Sequence, residues 1–153
     1  MRTKDTKKQT VLFDIDGTLA DVEHRRVFLK SPKPDWKAFN ERMGDDTTKL
    51  AIADLYRALW DSGKYELIIL TGRGEEHRKI TEQWLVWNNI PFNRLIMRSA
   101  KDFRADHIIK EEMLNLLLSE EKNISFVVDD RQQVVDMWRR NGIVCLQCDV
   151  GDF

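Results

Sequence analysis

Apolar positions along the chain follow two alternating rhythms. Short apolar runs at 11–13, 65–70, 94–97, 124–128 and 143–147 read as strands, because a strand covered on both faces of a parallel sheet is apolar at nearly every position. Between them the spacing becomes helical. Ile52, Leu55, Tyr56 and Leu59 mark a helix over 50–60, and Ile80, Trp84, Leu85 and Trp87 mark one starting near 75. Ile108, Ile109, Met113, Leu116 and Leu117 mark a third over 105–118, and Val134, Val135 and Trp138 a fourth. Ser62-Gly63, Asn88-Asn89-Ile90-Pro91 and Asn141-Gly142 are suitable stops. Strand and helix alternate five times. The pattern predicts an α/β fold, a five-stranded parallel sheet with helices on both faces.

The stretch 21–46 breaks the rhythm. Residues 23–29 fit a short helical turn, Ser31-Pro32-Lys33-Pro34 interrupts it, and Asp35 can cap a second short helix carrying Trp36 and Phe39. This stretch follows the first strand's carboxyl end. It is expected to be a small cap-like insert facing a substrate, within one domain spanning 1–153; a surface loop anchored by Trp36 and Phe39 fits the same residues. The basic lead-in with Arg2, Lys4, Lys7 and Lys8 reads as a frayed end.

Composition narrows the classes. Of 153 residues, 42% are hydrophobic and 33% charged, as in soluble globular proteins. No apolar run is long enough to span a bilayer, and none follows the basic start as a secretory leader would, so a cytoplasmic setting without membrane contact is expected. The formal charge of −1 argues against a constitutive polyanion binder, because phosphate contacts favour basic surfaces. Any nucleic-acid contact should be local or at an end. Cys145 and Cys148 form a lone Cys-x-x-Cys inside a strand-like stretch and read as strand-end cysteines rather than a redox pair. His24, His77 and His107 have no metal-ligand spacing. Trp84, Trp87 and Trp138 read as core, and Arg139-Arg140 as a pair favoured by the helix dipole.

Chemistry gathers at the strand ends. The first strand runs into Asp14-Ile15-Asp16-Gly17-Thr18, the second into Thr71-Gly72-Arg73, and the fourth into Asp129-Asp130; Lys110 lies on the helix before the fourth. In a parallel sheet these ends open on one edge, where ligands bind. Hydroxyls and free backbone N–H groups suit a phosphate, glycine admits close backbone approach, and carboxylates from two strands supply hard oxygen ligands for Mg2+. Each piece alone also has a plain reading: an Asp-Gly turn, a helix N-cap at Asp129-Asp130, and a solvated lysine.

Taken in order, the four pieces resemble the motifs of the haloacid dehalogenase (HAD) superfamily. Within it, the chain is similar to the phosphatase domain of phage-type polynucleotide kinase/phosphatase. That similarity is carried by Asp14 to Ala20, by Arg104-Ala105-Asp106-His107-Ile108-Ile109-Lys110-Glu111-Glu112, by the run from Asp129 to Gly142, and by Gly151-Asp152-Phe153. The resemblance implies a phosphomonoesterase that removes 3′-phosphates from nucleic-acid ends through an aspartyl-phosphate. Asp14 would be the nucleophile and Asp16 the general acid and base. Mg2+ would be held by Asp14, the backbone carbonyl of Asp16, Asp129 and Asp130. Thr71 and Lys110 would hold the phosphoryl group, with Thr18, Gly72, Arg25, Arg73 and Asp106 as further substrate-binding candidates. The bifunctional relatives carry a P-loop kinase domain. Here no Gly-x-x-x-x-Gly-Lys-Ser/Thr occurs, so no kinase activity is expected and a separate kinase or ligase is a candidate partner. A nucleotidase of the same chemistry and an inactive binding module are the alternatives.

Overall fold

Val11, Leu12 and Phe13 can all be buried because a strand's side chains alternate between two covered faces. In the computed structural model, which describes residues 7–151, they lie in β1 (Gln9–Phe13), the middle of the sheet. The other sheet strands are β4 (Tyr65–Gly74), β5 (Arg94–Arg98), β6 (Ile124–Arg131) and β7 (Cys145–Gly151). Their order is β5-β4-β1-β6-β7, and every pairing is parallel. Before β4 come β2 (Ala20–Asp21), α1 (Glu23–Arg26), α2 (Trp36–Glu41), β3 (Thr47–Thr48) and α3 (Leu50–Ser62). The later helices are α4 (Arg78–Trp87), α5 (Asp106–Ser119) and α6 (Gln132–Arg140). Arg2, Lys4 and the closing Asp152-Phe153 lie outside the described residues.

Each face of β1 has its own core. Val11 and Phe13 pack with Leu67 and Ile69 of β4, Tyr56 of α3, and Trp84 and Leu85 of α4. Leu12 packs with Ile68 and Leu70, with Ile109, Met113 and Leu117 of α5, and with Val134, Val135 and Trp138 of α6. After β1 the chain builds β4 and β5 on one side and returns to build β6 and β7 on the other. The carboxyl end of β1 is therefore the switch point where open α/β sheets bind ligands.

Several sequence expectations shift. Trp87 is 76% exposed, not core. It is the last residue of α4, where the helix runs past the surface it covers. Ile108 and Leu116 are likewise exposed, because a helix on one face of a sheet buries only a stripe. Trp36 is 56% exposed, so of the two aromatics only Phe39 anchors the insert, together with the buried Val22 and Met43; Asp35 caps α2 as expected, accepting from the Ala38 N–H at 3.0 Å. Residues 75–77 form a 3-10 turn, so α4 begins at Arg78. The last strand starts at Cys145 rather than 143, because the Ile143 N–H closes α6 on the Trp138 carbonyl.

Two features were not foreseen. β2 and β3 pair antiparallel, Ala20 with Thr48 and Asp21 with Thr47, and pin the two ends of the insert together. β4 and β6 also extend beyond 70 and 128, with register breaks between Thr71 and Gly74 and between Asp129 and Arg131. Such bulges re-aim side chains at strand ends, and both fall on the motif residues. Cys145 packs in one core and Cys148 against the other, on opposite faces of the sheet, so they do not bridge. Burial pushes their thiols up to about 12 and about 11. No helix among the described residues is long and apolar enough to cross a membrane.

Candidate active site

Just past β1 the backbone must turn sharply, and Gly17 makes the turn at φ +82°. A Cβ there would stand 2.0 Å from Asp130 Oδ2. At Gly151 of β7 a Cβ would stand 2.4 Å from the same oxygen. These two glycines make the space for Asp130 beside Asp14.

Asp14, Asp129 and Asp130 bring one carboxylate oxygen each within 4.8 Å of the others, all three residues buried. Lys110 reaches from α5 and donates to Asp14 Oδ1 at 2.8 Å and to Asp129 Oδ2 at 3.0 Å. The Thr18 hydroxyl lies 3.3 Å from both Asp14 Oδ2 and Asp130 Oδ1. Trp138, foreseen only as core, also donates its indole N–H to Asp129 Oδ2 at 3.2 Å. Three carboxylates thus face one ammonium. Burial pushes the Asp14 carboxyl well above its ordinary value; Lys110 opposes this, while Asp129, Asp130 and Asp16 add to it. Asp130 is pushed up to about 6, by burial first and then by Asp129. Burial works against the Lys110 charge, but Asp129, Asp14 and Asp106 hold its proton firmly. This oxygen-only donor set with surplus negative charge fits a Mg2+ ion.

Asp16 points elsewhere. Its Oδ1 accepts from Arg25 Nη2 at 2.6 Å and from Arg73 Nη2 at 2.7 Å. Burial acts upward on this carboxyl too, but the guanidiniums of Arg73 and Arg25 outweigh it and hold Asp16 well below the carboxylate range. Arg25 is fully buried. It also donates to both oxygens of Asp46 at 2.8 Å and stacks over the Phe39 ring at 4.3 Å. Arg73 Nη2 reaches Asp46 Oδ2 at 3.2 Å, and its Nη1 reaches the Thr81 hydroxyl. Both arginines were expected among substrate contacts; here they are committed to Asp16 and Asp46. Burial still holds Asp46 above its ordinary value, with Arg25 acting against it.

The remaining candidates line the β4 side. Thr71 is buried and its Oγ1 accepts from the Arg73 N–H at 3.1 Å. A Cβ on Gly72 would stand 2.0 Å from Asp106 Oδ1, so glycine lets α5 close against β4. Asp106 pairs with Arg98 at 2.9 Å and Arg131 at 3.4 Å, and lies 3.9 Å from Lys110.

Sequence reasoning missed Asp46, Arg98 and Lys49. Asp46 stands in Asp45-Asp46, which reads as a helix stop; its role depends on the β2–β3 pairing. Arg98 donates to the Gly72 carbonyl at 2.8 Å from a strand read one residue short. Lys49 donates to the Gly17 carbonyl at 3.1 Å.

A parallel sheet with its acids gathered beyond the middle strand is the HAD-like arrangement. A hydrolase from Streptococcus pneumoniae TIGR4 shares the fold, with a TM-score of 0.60 at 14% identity over 92% of each chain. The family model of the polynucleotide kinase PNKP phosphatase domain matches residues 8–153, and the chain belongs to that family. It is thus a phosphoric monoester hydrolase domain. A chain of the Pnkp1/Rnl/Hen1 RNA repair complex is 31% identical with a TM-score of 0.79, covering 100% of this chain and 46% of its own. A putative bifunctional polynucleotide kinase/RNA ligase of Autographa californica nuclear polyhedrosis virus is 26% identical over 132 residues, 86% of this chain and 18% of the viral protein. This chain therefore spans less than half the length of either relative.

Proposed function

We propose that the chain is a Mg2+-dependent 3′-phosphatase of nucleic-acid ends that works through an aspartyl-phosphate on Asp14. The observation that carries the chemistry is the imbalance around Asp14: three buried carboxylates against one lysine. Asp14, Asp129 and Asp130 would hold the ion. When bound, Mg2+ supplies positive charge that offsets these carboxylates and the oxygens of the transferring phosphoryl group.

Asp14 attacks phosphorus and the bond to the ester oxygen breaks, which splits one displacement into two. Lys110 and the Thr71 hydroxyl stabilise the charge on the phosphoryl oxygens. Asp16 serves both halves. It donates a proton to the leaving oxygen, then takes one from the water that hydrolyses the acyl-phosphate. Its ionised resting state suits the second half. The proton for the first comes in with the substrate monoanion, since a phosphate monoester loses its second proton near pH 6, and passes through Asp16 to the leaving oxygen. The proton that Asp16 then takes from water leaves with the product phosphate, which returns Asp16 to its ionised state. Arg25 and Arg73 aim the carboxylate in both.

The choice of a nucleic-acid 3′ end rests on family membership, supported by relatives named for RNA repair and for polynucleotide kinase and RNA ligase. The same names support work alongside a kinase or ligase. Residues 21–46, a small insert over the carboxyl end of β1, are read as a minimal cap that leaves room for a polymer end. The test is phosphate release from a 3′-phosphorylated oligonucleotide and from a panel of mononucleotides, with Mg2+ or EDTA. Metal-dependent release from the oligonucleotide is expected. Release from mononucleotides alone would make the protein a nucleotidase.

A further inference from the structure

The loop 99–105, which follows β5, rises from the same sheet edge as Asp14. Two strand spacings in the order β5-β4-β1 place its base about 10 Å from the end of β1. At its apex Phe103 is 91% exposed, and it belongs to neither core. The backbone beneath the ring is nevertheless held on both sides. Arg98 Nη1 donates to the carbonyls of Asp102 and Arg104, which flank Phe103, at 3.0 and 2.6 Å. The same guanidinium holds the Gly72 carbonyl through Nε and Asp106 Oδ1 through Nη2. Within the loop, the Asp102 N–H donates to the Ser99 carbonyl at 3.2 Å, and Asp102 Oδ1 accepts from the Arg104 N–H at 3.2 Å. The loop and the phosphate-facing residues of β4 and α5 thus share one anchor, and the ring stands in water on a fixed mount.

We infer that Phe103 is a stacking platform for a nucleobase at the 3′ end of the substrate. The inference rests on the nucleic-acid reading above and adds a second contact to it. An aromatic face binds any base, and a fixed backbone lowers the entropy lost when it does. The chain carries a net charge of −1, so it lacks the overall basic character with which phosphate-tracking proteins hold a strand. The charge of Arg104 is already met by Asp102 and Glu112. A base contact at this rim would add to the charge of the exposed Lys101 in the same loop in gripping a polymer end.

The experiment compares kcat/KM for a 3′-phosphorylated oligonucleotide with that for glycerol phosphate, which has no base, in wild type, Phe103→Ala, Phe103→Leu and Phe103→Trp. In the Ala and Leu proteins the oligonucleotide-to-glycerol-phosphate ratio should fall by about five- to a hundredfold, mainly through KM. The Trp protein should keep the wild-type ratio. An unchanged ratio in Phe103→Ala overturns the inference and leaves the ring to a protein partner. A retained ratio in Phe103→Leu overturns it too, since plain apolar contact would then suffice. A wild type that hydrolyses glycerol phosphate but not the oligonucleotide overturns the nucleic-acid reading itself, and the platform with it. Because the ring is exposed, unchanged melting should show that all four proteins fold alike.

Discussion

Asp14 and Asp16 are separated by one residue on one turn, and their carboxyls shift in opposite directions, Asp14 well up and Asp16 well down. Burial pushes both upward, so the partners decide. Around Asp14, three carboxylates share Lys110. Around Asp16, two carboxylates, Asp16 and Asp46, face two guanidiniums, Arg25 and Arg73. The first group is left short of positive charge, which suits a place where a cation and a phosphoryl group come and go. The second is balanced and holds one carboxylate in one orientation. Adjacent acids thus take different roles through partners drawn from distant parts of the chain.

The sharpest break is to neutralise each acid in turn. Asp14→Asn should lower phosphate release by about 10^4-fold or more, as loss of a nucleophile does, without lowering the melting temperature of the metal-free protein. Asp16→Asn should lose less activity, about 10^2- to 10^4-fold, yet melt at a lower temperature because two buried guanidiniums lose a partner. Equal melting of the two proteins would sink the contrast. Next, Asp46→Ala strips the fully buried side of the balanced group. Removing one member of a buried ion pair costs about 3–5 kcal/mol, so melting should drop by roughly 10 °C or more.

Metal and pH come third. Asp130 stands at about 6 in the folded chain against 3.8 ordinarily. Between these values the folded state keeps a proton that the unfolded state has lost. Stability of the metal-free protein therefore falls as pH rises through this window, where the share due to Asp130 is lost, and the raised Asp14 carboxyl acts in the same direction. Asp16 has the opposite sign: its contribution is present above 3.8 and is lost as pH falls toward its depressed folded value. Mg2+ at a hundredfold excess over its Kd should stabilise by about 2.7 kcal/mol, and the gain in melting temperature should be larger at pH 7.5 than at pH 5. A gain independent of pH would mean that the ion binds outside the carboxylate trio. The smallest effect is expected for His24→Ala. His24 lies 2.6 Å from Asp46 but is 40% exposed, and such a pair contributes at most about 1 kcal/mol; activity should stay within a few-fold of wild type.

Much of this was legible because strand ends are written locally. An apolar run ending in Asp-x-Asp or Asp-Asp carries both the burial and its limit in the same few residues, so the sheet and its acidic edge could be read together. Asp46 could not be read this way. Nothing near it marks it as buried; only the pairing of Ala20 with Thr48 brings it under Arg25. The orientation of Arg25 and Arg73 was hidden for the same reason, since a lone arginine looks alike whether it meets a phosphate or a carboxylate. Helical periodicity named Trp84 and Trp87 together, but it cannot tell where a helix runs past the sheet that covers it.

Gly151 has a consequence for how the protein comes into being. Its bare backbone is one wall of the space that holds Asp130 against Gly17, so the centre closes only when the seventh strand is in place. Asp14 precedes β6, the strand beside it, by more than a hundred residues of synthesis. At synthesis rates of about 5–20 residues per second, the central strand waits on the order of ten seconds for its second neighbour. The contacts that complete the site are among the longest in sequence separation, and such contacts are slow to form. A nascent chain on the ribosome thus carries Asp14 long before the residues that surround it in the folded protein exist.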